Sequence, residues 1–349
     1  MQILPDHPAL QYEGRIDFEQ PLAPVFVFPC TSIKMRFTGT FLKVTLENHH
    51  VYWNNYMGYI LDGEQKKIEL PESGKVTLTL AEGLEDKEHE LLFFKRMDSC
   101  HTVTFYGFEI EDGAKLGEVE PLPQRKIEVY GDSVSAGEVS EAVEYVGKAD
   151  PEHQGEFSNS WYSYSWMTAR KLGARIHDVA QGGIALLDHT GWFSEPDYKG
   201  MESCYDKIEY QPALGVTKQW DFSKYCPQVV IIAIGQNDNH PQDYMAKDYH
   251  CEKAVYWRKK YKEFVLEIRK RYPKAEIILA TTILCHDKNW DASIEEVCKE
   301  IKDEKVHHFM YTQNGCGTPG HIRIPEAEQM STELVNYIES LGEKIWNEE

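Results

Sequence analysis

The chain has 349 residues, 42% of them hydrophobic and 27% charged, the ordinary make-up of a soluble globular protein of about two domains. With 37 Lys and Arg against 57 Asp and Glu, the formal charge is −20. A surface that acidic repels phosphate backbones and anionic membranes, which excludes nucleic acid and membrane as natural partners and favours a neutral small molecule or saccharide. The start, Met1-Gln-Ile-Leu-Pro-Asp-His, has neither a basic segment nor an apolar run behind it, so the expectation is a cytoplasmic protein. The apolar stretch Val229 to Ile234 is far too short to cross a bilayer. Eight cysteines are spread along the chain with no Cys-x-x-Cys pair, which predicts reduced, mostly buried thiols and no structural zinc. Oligomeric state has no signature here.

Up to about residue 118 the pattern is all-β. Ile33, Met35 and Phe37 alternate with Lys34 and Arg36; Leu42, Val44 and Leu46 alternate with polar residues, as do Val76, Leu78 and Leu80. A period of two marks strands with one buried face. Turn signals at Thr38-Gly39, Leu61-Asp62-Gly63 and Ser73-Gly74 separate them, and the spacing predicts a β-sandwich of the jelly-roll kind over residues 1–118. Glu118 to Arg125, with Pro121 and Pro123, reads as a linker.

Residues 119–349 change grammar. Apolar runs at Ile127–Tyr130, Ile176–Ala180, Val229–Ile234, Ile277–Thr281 and Val306–Tyr311 alternate with helical patterns. Trp257, Tyr261, Phe264, Val265 and Ile268 share a helix face before Pro273. Ile294, Val297, Cys298 and Ile301 form another face, and Met330, Leu334, Ile338, Leu341 and Ile345 a last one. This predicts an α/β fold, a three-layer α/β/α sandwich around a five-stranded parallel sheet, with its site at the carboxyl ends of the strands.

Four motifs fall there or close to the C-terminus. The first strand runs into Gly131-Asp132-Ser133-Val134-Ser135-Ala136-Gly137, the second into Gln181-Gly182-Gly183, and the third into Gly235-Gln236-Asn237-Asp238. Gly317-Thr318-Pro319-Gly320-His321 follows the fifth. Singly these read as caps and turns; together they supply what serine chemistry requires. A serine hydroxyl needs an imidazole to take its proton, which nominates Ser133 and His321. The oxyanion formed on attack needs fixed donors, for which the Ser133 and Gly183 backbone amides and the Asn237 side chain are candidates, with Gly182 as the alternative register. Asp132 and Asp238 read as supporting residues that hold their turns.

These blocks resemble those of the SGNH (GDSL-like) hydrolases over residues 126 to about 345. A resemblance covering nearly the whole chain is to carbohydrate esterase family two, the two-domain acetylxylan-esterase type with a jelly roll before an SGNH domain. It is carried by Gly14-Arg15, Arg36-Phe37-Thr38-Gly39-Thr40, Ala81-Glu82-Gly83-Leu84, Phe105-Tyr106-Gly107-Phe108-Glu109 and Ile127-Glu128 leading into Gly131-Asp132-Ser133. The resemblance implies deacetylation of acetylated oligosaccharides, without a cofactor. Related enzymes often carry an Asp two or three residues before the histidine and an aromatic residue next to it. Here the positions hold Pro319, Thr318 and Gly320. The expectation is a Ser–His dyad with no carboxylate at the histidine ring, the alternative being an acid from elsewhere in the chain. Sugar contacts are then expected from the aromatic-rich segment Ile184 to Cys226, with Trp192 the candidate substrate contact.

Overall fold

The computed structural model describes residues 1–347. The alternating segments of the first part pair as two antiparallel sheets of six strands each. In one, Phe41–His50 lies between Ser73–Glu82 and His101–Ile110; in the other, Glu88–Lys95 lies between Ser32–Thr38 and Tyr56–Leu61. The period of two decides which side chains are inside. Ile33, Met35 and Phe37 are fully buried against Leu42, Val44 and Leu46 of the opposite sheet, with Phe93, Phe105 and Phe108 filling between them. Lys34 stays exposed. Ser73–Glu82 is an edge strand, so of Val76, Leu78 and Leu80 only Leu80 is buried.

Leu116–Gly117 is the last strand of the sandwich; from β1 (Arg125–Gly131) onward, apart from a short antiparallel pair of Lys207–Glu209 with Lys218–Gln219, the pairing is parallel and forms one five-stranded sheet. The other strands are β2 (Ala174–Ala180), β3 (Val229–Ala233), β4 (Glu276–Leu279) and β5 (Val306–His308). Their spatial order is β2-β1-β3-β4-β5, with Ile127 in register with both Ile176 and Val229. Helix α1 (Ser133–Ala136) is a single turn, and the longer helices are α2 (Tyr164–Lys171), α3 (Glu252–Arg271), α4 (Lys288–Ile301) and α5 (Ile324–Ser340); further single turns lie at Met201–Cys204 and Tyr244–Lys247. On one face Trp257 and Tyr261 of α3 and Trp290 and Ile294 of α4 cover Val230, Ile232 and Ile277. On the other, Tyr164 and Met167 of α2 and Met330 and Leu334 of α5 cover Val129, Ile231 and Ile278. Strands covered on both faces must be apolar at every position, which is why they read as unbroken runs. The last helix ends sooner than its pattern predicts: Gly342 at φ +88° breaks it after Ser340, leaving Ile345 in a separate short turn.

The two layers of architecture are joined by buried polar contacts. Arg15, from the sandwich, is wholly buried, pairs with Glu128 of β1 at 2.9 Å and donates to the carbonyls of Tyr205 and Lys207. An ion pair with no exposure holds position strongly, since removing either partner leaves an uncompensated charge inside. All eight cysteines are free thiols, but only Cys30, Cys100 and Cys204 are buried; Cys226, Cys285 and Cys316 are exposed, against the expectation of mostly buried thiols. Among the described residues no helix is long and apolar enough to cross a membrane.

Candidate active site

Because β1, β2 and β3 run in parallel, their carboxyl ends bring three turns to one edge of the sheet. The first turn enters α1, with Asp132 as its cap: Val134 N donates to Asp132 Oδ1 at 3.0 Å. The other oxygen, Oδ2, accepts from Gln236 Nε2 at 2.7 Å and Asn237 Nδ2 at 3.2 Å, so one carboxylate ties the first turn to the third. Asp238, also buried, accepts from the amides of Leu186 and Leu187 and ties the third turn to the segment after the second. Ser133 is only 5% exposed.

The second turn separates the two glycine registers. Gly182 N donates to Asp98 Oδ2 at 2.5 Å, whereas Gly183 N has no protein acceptor among the described residues. A Cβ on Gly182 would stand 2.6 Å from Asp98 Oδ2 and 2.7 Å from Glu138 Oε2, so a side chain there would push one or both carboxylates aside. The Asn237 amide, besides reaching Asp132, donates to the Ile184 carbonyl at 3.1 Å.

Asp98 belongs to the sandwich. Its segment, following Glu88–Lys95, clasps the second turn: Gln181 Nε2 donates to Asp98 Oδ2 at 2.8 Å, the Ser99 hydroxyl donates to Gln181, and Gln211 Nε2 donates to the Ser99 carbonyl at 3.0 Å. Val51, Tyr52 and Trp53 of the sandwich join Ser133, Glu138, Gly182, Gly183, Trp192, Asn237 and His321 around a cleft of about 730 Å³. Every candidate catalytic, oxyanion and substrate-contact residue read from the sequence therefore lines one cavity, and Asp132 and Asp238 lie beneath it.

At His321 the structure corrects the dyad expectation. Asp150 Oδ2 lies 2.7 Å from His321 Nδ1, and Asp150 Oδ1 accepts the His321 backbone amide at 2.9 Å. Arg323, fully buried, holds the same carboxylate at 2.8 Å. The acid comes from a long connection between α1 and α2 rather than from the turn before the histidine. That connection is pinned to the sandwich by Arg96, which donates to the Ser158 carbonyl at 3.0 Å and pairs with Glu141 at 2.6 Å. Gly320, which appeared in the sequence as a missing aromatic, is required by this arrangement. A Cβ there would meet Lys148 O at 2.6 Å and Asp150 Oδ1 at 2.7 Å, because the acid-bearing segment passes over the place a side chain would occupy.

Residues 12–119 match the family model described as carbohydrate esterase 2 N-terminal. The chain is related to the family-two carbohydrate esterases. It is 30% identical over 347 residues to the cellulase/esterase CelE of Acetivibrio thermocellus, covering 95% of this chain and 40% of that protein's length. It is 28% identical to an acetylxylan esterase / glucomannan deacetylase of Cellvibrio japonicus, covering 90% of this chain and 82% of that one. A family-two carbohydrate esterase from Clostridium thermocellum, solved with cellohexaose, superposes with a TM-score of 0.79 at 27% identity, covering 95% of this chain and 98% of the other.

Around the His321 ring of this chain the charges are unevenly placed. Burial would depress the His321 pKa, but Glu138 and Asp150 outweigh it and raise it to about 9. Asp150, despite burial that opposes its ionisation, is held well below the usual carboxylate range by its bonds to His321 and the charge of Arg323. Glu138 goes the other way: burial raises it to about 7, with Asp98, Asp150 and Asp132 adding to the rise and His321 opposing it. Burial likewise raises Asp132 to about 6. Among the described residues no bond joins the Ser133 hydroxyl to the ring; such bonds are often loose before substrate arrives.

Trp192 is 60% exposed and lies flat against His240, ring centroids 3.4 Å apart. Its aromatic neighbours in the same segment mostly serve packing: Phe193, Tyr210, Trp220 and Tyr225 are buried. Asp150, Glu138 and Asp98 escaped the sequence reading. They lie in irregular segments with no periodicity, and their only trace was the glycine before His321 and the Gly182-Gly183 pair.

Proposed function

We propose that the protein is a serine esterase that removes O-acetyl groups from acetylated oligosaccharides, working through a Ser133–His321–Asp150 triad. The observation that carries this reading is the convergence of Ser133, Gly183 and His321 on one cleft with Asp150 bonded to the far side of the ring, in a chain related to an acetylxylan esterase / glucomannan deacetylase.

With Nδ1 committed to Asp150, Nε2 is the nitrogen left for Ser133. It accepts the Ser133 proton as Oγ attacks the ester carbonyl carbon, and the imidazolium is stabilised by the carboxylate behind it. The oxyanion is met by the Ser133 and Gly183 amides. The Asn237 side chain contributes only if it exchanges one of its two protein acceptors for the substrate. Nε2 then gives that proton to the departing sugar oxygen as the C–O bond breaks, releasing the free sugar hydroxyl and leaving acetyl-Ser133. A water attacks that ester, again giving its proton to Nε2, and acetate leaves as Ser133 regains its hydrogen. Trp192 and Trp53 border the cleft as stacking surfaces for sugar rings.

The test is acetate release by wild type and Ser133→Ala from para-nitrophenyl acetate and from an acetylated xylo- or gluco-oligosaccharide. Release by wild type alone, with kcat/KM higher on the saccharide, supports both the serine chemistry and the substrate class. Undiminished release by a folded Ser133→Ala removes the proposal.

A further inference from the structure

Glu138 stands in the cleft without a place in the mechanism above. Its side chain is 12% exposed, and its Oε1 lies 3.5 Å from His321 Nε2, the nitrogen that must serve Ser133. Its other oxygen faces Gly182, on the turn that precedes the candidate oxyanion amide. The two carboxylates on the 137–160 connection thus clasp the same ring from opposite sides, Asp150 on Nδ1 and Glu138 on Nε2. Only one of these contacts favours catalysis. A base already paired through Nε2 is held as imidazolium, and an imidazolium cannot accept the serine proton.

The remaining charges do not release it. From the sandwich, Asp98 faces Glu138; from the end of β1, Asp132 faces both Glu138 and His321. On the far side stand Asp150, whose charge Arg323 partly balances, and His153. Among the residues lining the cleft there is no Lys or Arg to draw Glu138 away. A carboxylate with no competing protein donor is instead a ready acceptor for a hydroxyl on the substrate.

Resting on the esterase reading, we propose that Glu138 is a positioning and specificity residue. Its carboxylate competes with Ser133 for His321 Nε2, and a substrate hydroxyl that donates to Glu138 frees the base. The enzyme therefore favours partly acetylated saccharides that keep a free hydroxyl near the ester over simple acetates lacking one. The pairing also accounts for the direction of the His321 shift, which two facing carboxylates produce against burial.

The experiment compares wild type, Glu138→Gln and Glu138→Ala. The His321 ring is titrated by NMR and kcat/KM is followed against pH on para-nitrophenyl acetate and on a mono-acetylated xylo-oligosaccharide. The expected result is a fall of the His321 midpoint by about one pH unit or more in both variants. The acid limb of kcat/KM moves with it, and the preference for the saccharide over para-nitrophenyl acetate shrinks by roughly tenfold, the size of a charged hydrogen bond lost. An unchanged midpoint in a folded variant overturns the proposal, as does an unchanged substrate preference. A wild-type midpoint at or below the ordinary histidine value overturns it without any variant. The titration needs no turnover, so it separates failure of this inference from failure of the esterase reading, which the Ser133→Ala comparison decides.

Discussion

The cleft has two walls of different construction. One is made of the short turns after β1, β2 and β3, where Ser133, Gly183 and Asn237 sit. Each is fixed by the register of a strand buried on both faces and by carboxylates, Asp132 and Asp238, that bond across neighbouring turns. The other wall is made of long irregular segments: the 137–160 connection with Glu138 and Asp150, and the sandwich residues around Asp98. These are held by ion pairs between residues far apart in the chain, such as Arg323–Asp150 and Arg96–Glu141. In the proposed mechanism the first wall carries the groups that touch the reacting atoms, and the second sets the charge and orientation of the base. A parallel sheet places reactive groups well because many ladder bonds share the load, whereas the second wall depends on a few charged contacts and is the more easily disturbed.

That difference can be broken from either side. The largest effect is expected from Ser133→Ala, which should lower kcat by at least ~10³-fold with the melting temperature nearly unchanged, checked by acetate release and thermal unfolding. On the opposite wall, Asp150→Asn should lower kcat by ~10²–10⁴-fold, since the ring loses both its orientation and the charge that stabilises imidazolium. The same variant carries a pH signature in stability. Asp150, held below its usual range, contributes above about pH 4 and is lost only as pH falls further. His321, raised to about 9, contributes fully below its ordinary value of about 6.5 and loses that contribution as pH climbs through 9. The difference in melting temperature between wild type and Asp150→Asn should therefore be greatest between about pH 4 and 6.5 and shrink toward 9. Activity should run the opposite way, rising as the base deprotonates.

A milder loss is expected where the second wall is bent rather than cut. Gly320→Ala drives a methyl group against Lys148 O and Asp150 Oδ1. It should destabilise by about 1–3 kcal/mol and reduce kcat by displacing the acid, seen in chemical unfolding and steady-state kinetics together. Asp98→Ala frees Gly182 N and Gln181 from the sandwich and should reduce kcat about tenfold with little change in KM, because it loosens the turn before Gly183 without removing the Gly183 amide. An effect of Asp98→Ala as large as that of Ser133→Ala would mean that the sandwich takes part in the chemistry itself.

The fold was readable because both halves follow strict periods. Ile33, Met35 and Phe37 announce one buried face, and Val229 to Ile234 a strand covered on both sides. The residues at strand ends were readable for the same reason: once the strands are placed, Asp132-Ser133, Gly182-Gly183 and Asn237-Asp238 can only lie at one edge. Gly320 was read as a gap in sugar binding, when its cause was steric room for a segment about 170 positions away, as the His321–Asp150 separation of 171 shows. Nothing local marks such a contact, because an aspartate in an aperiodic connection looks the same whether it faces solvent or a histidine.

By itself, then, the sequence determined two domains' worth of strand and helix patterning, the parallel sheet, and the turns that collect Ser133, Gly183 and Asn237, all consequences of short-range periodicity and backbone geometry. Tertiary structure alone decided which carboxylate orients His321, which one contests its other nitrogen, and how the sandwich grips the Gly182 turn. Those outcomes depend on charges brought together across the fold, where desolvation and distance, rather than position along the chain, choose the partners.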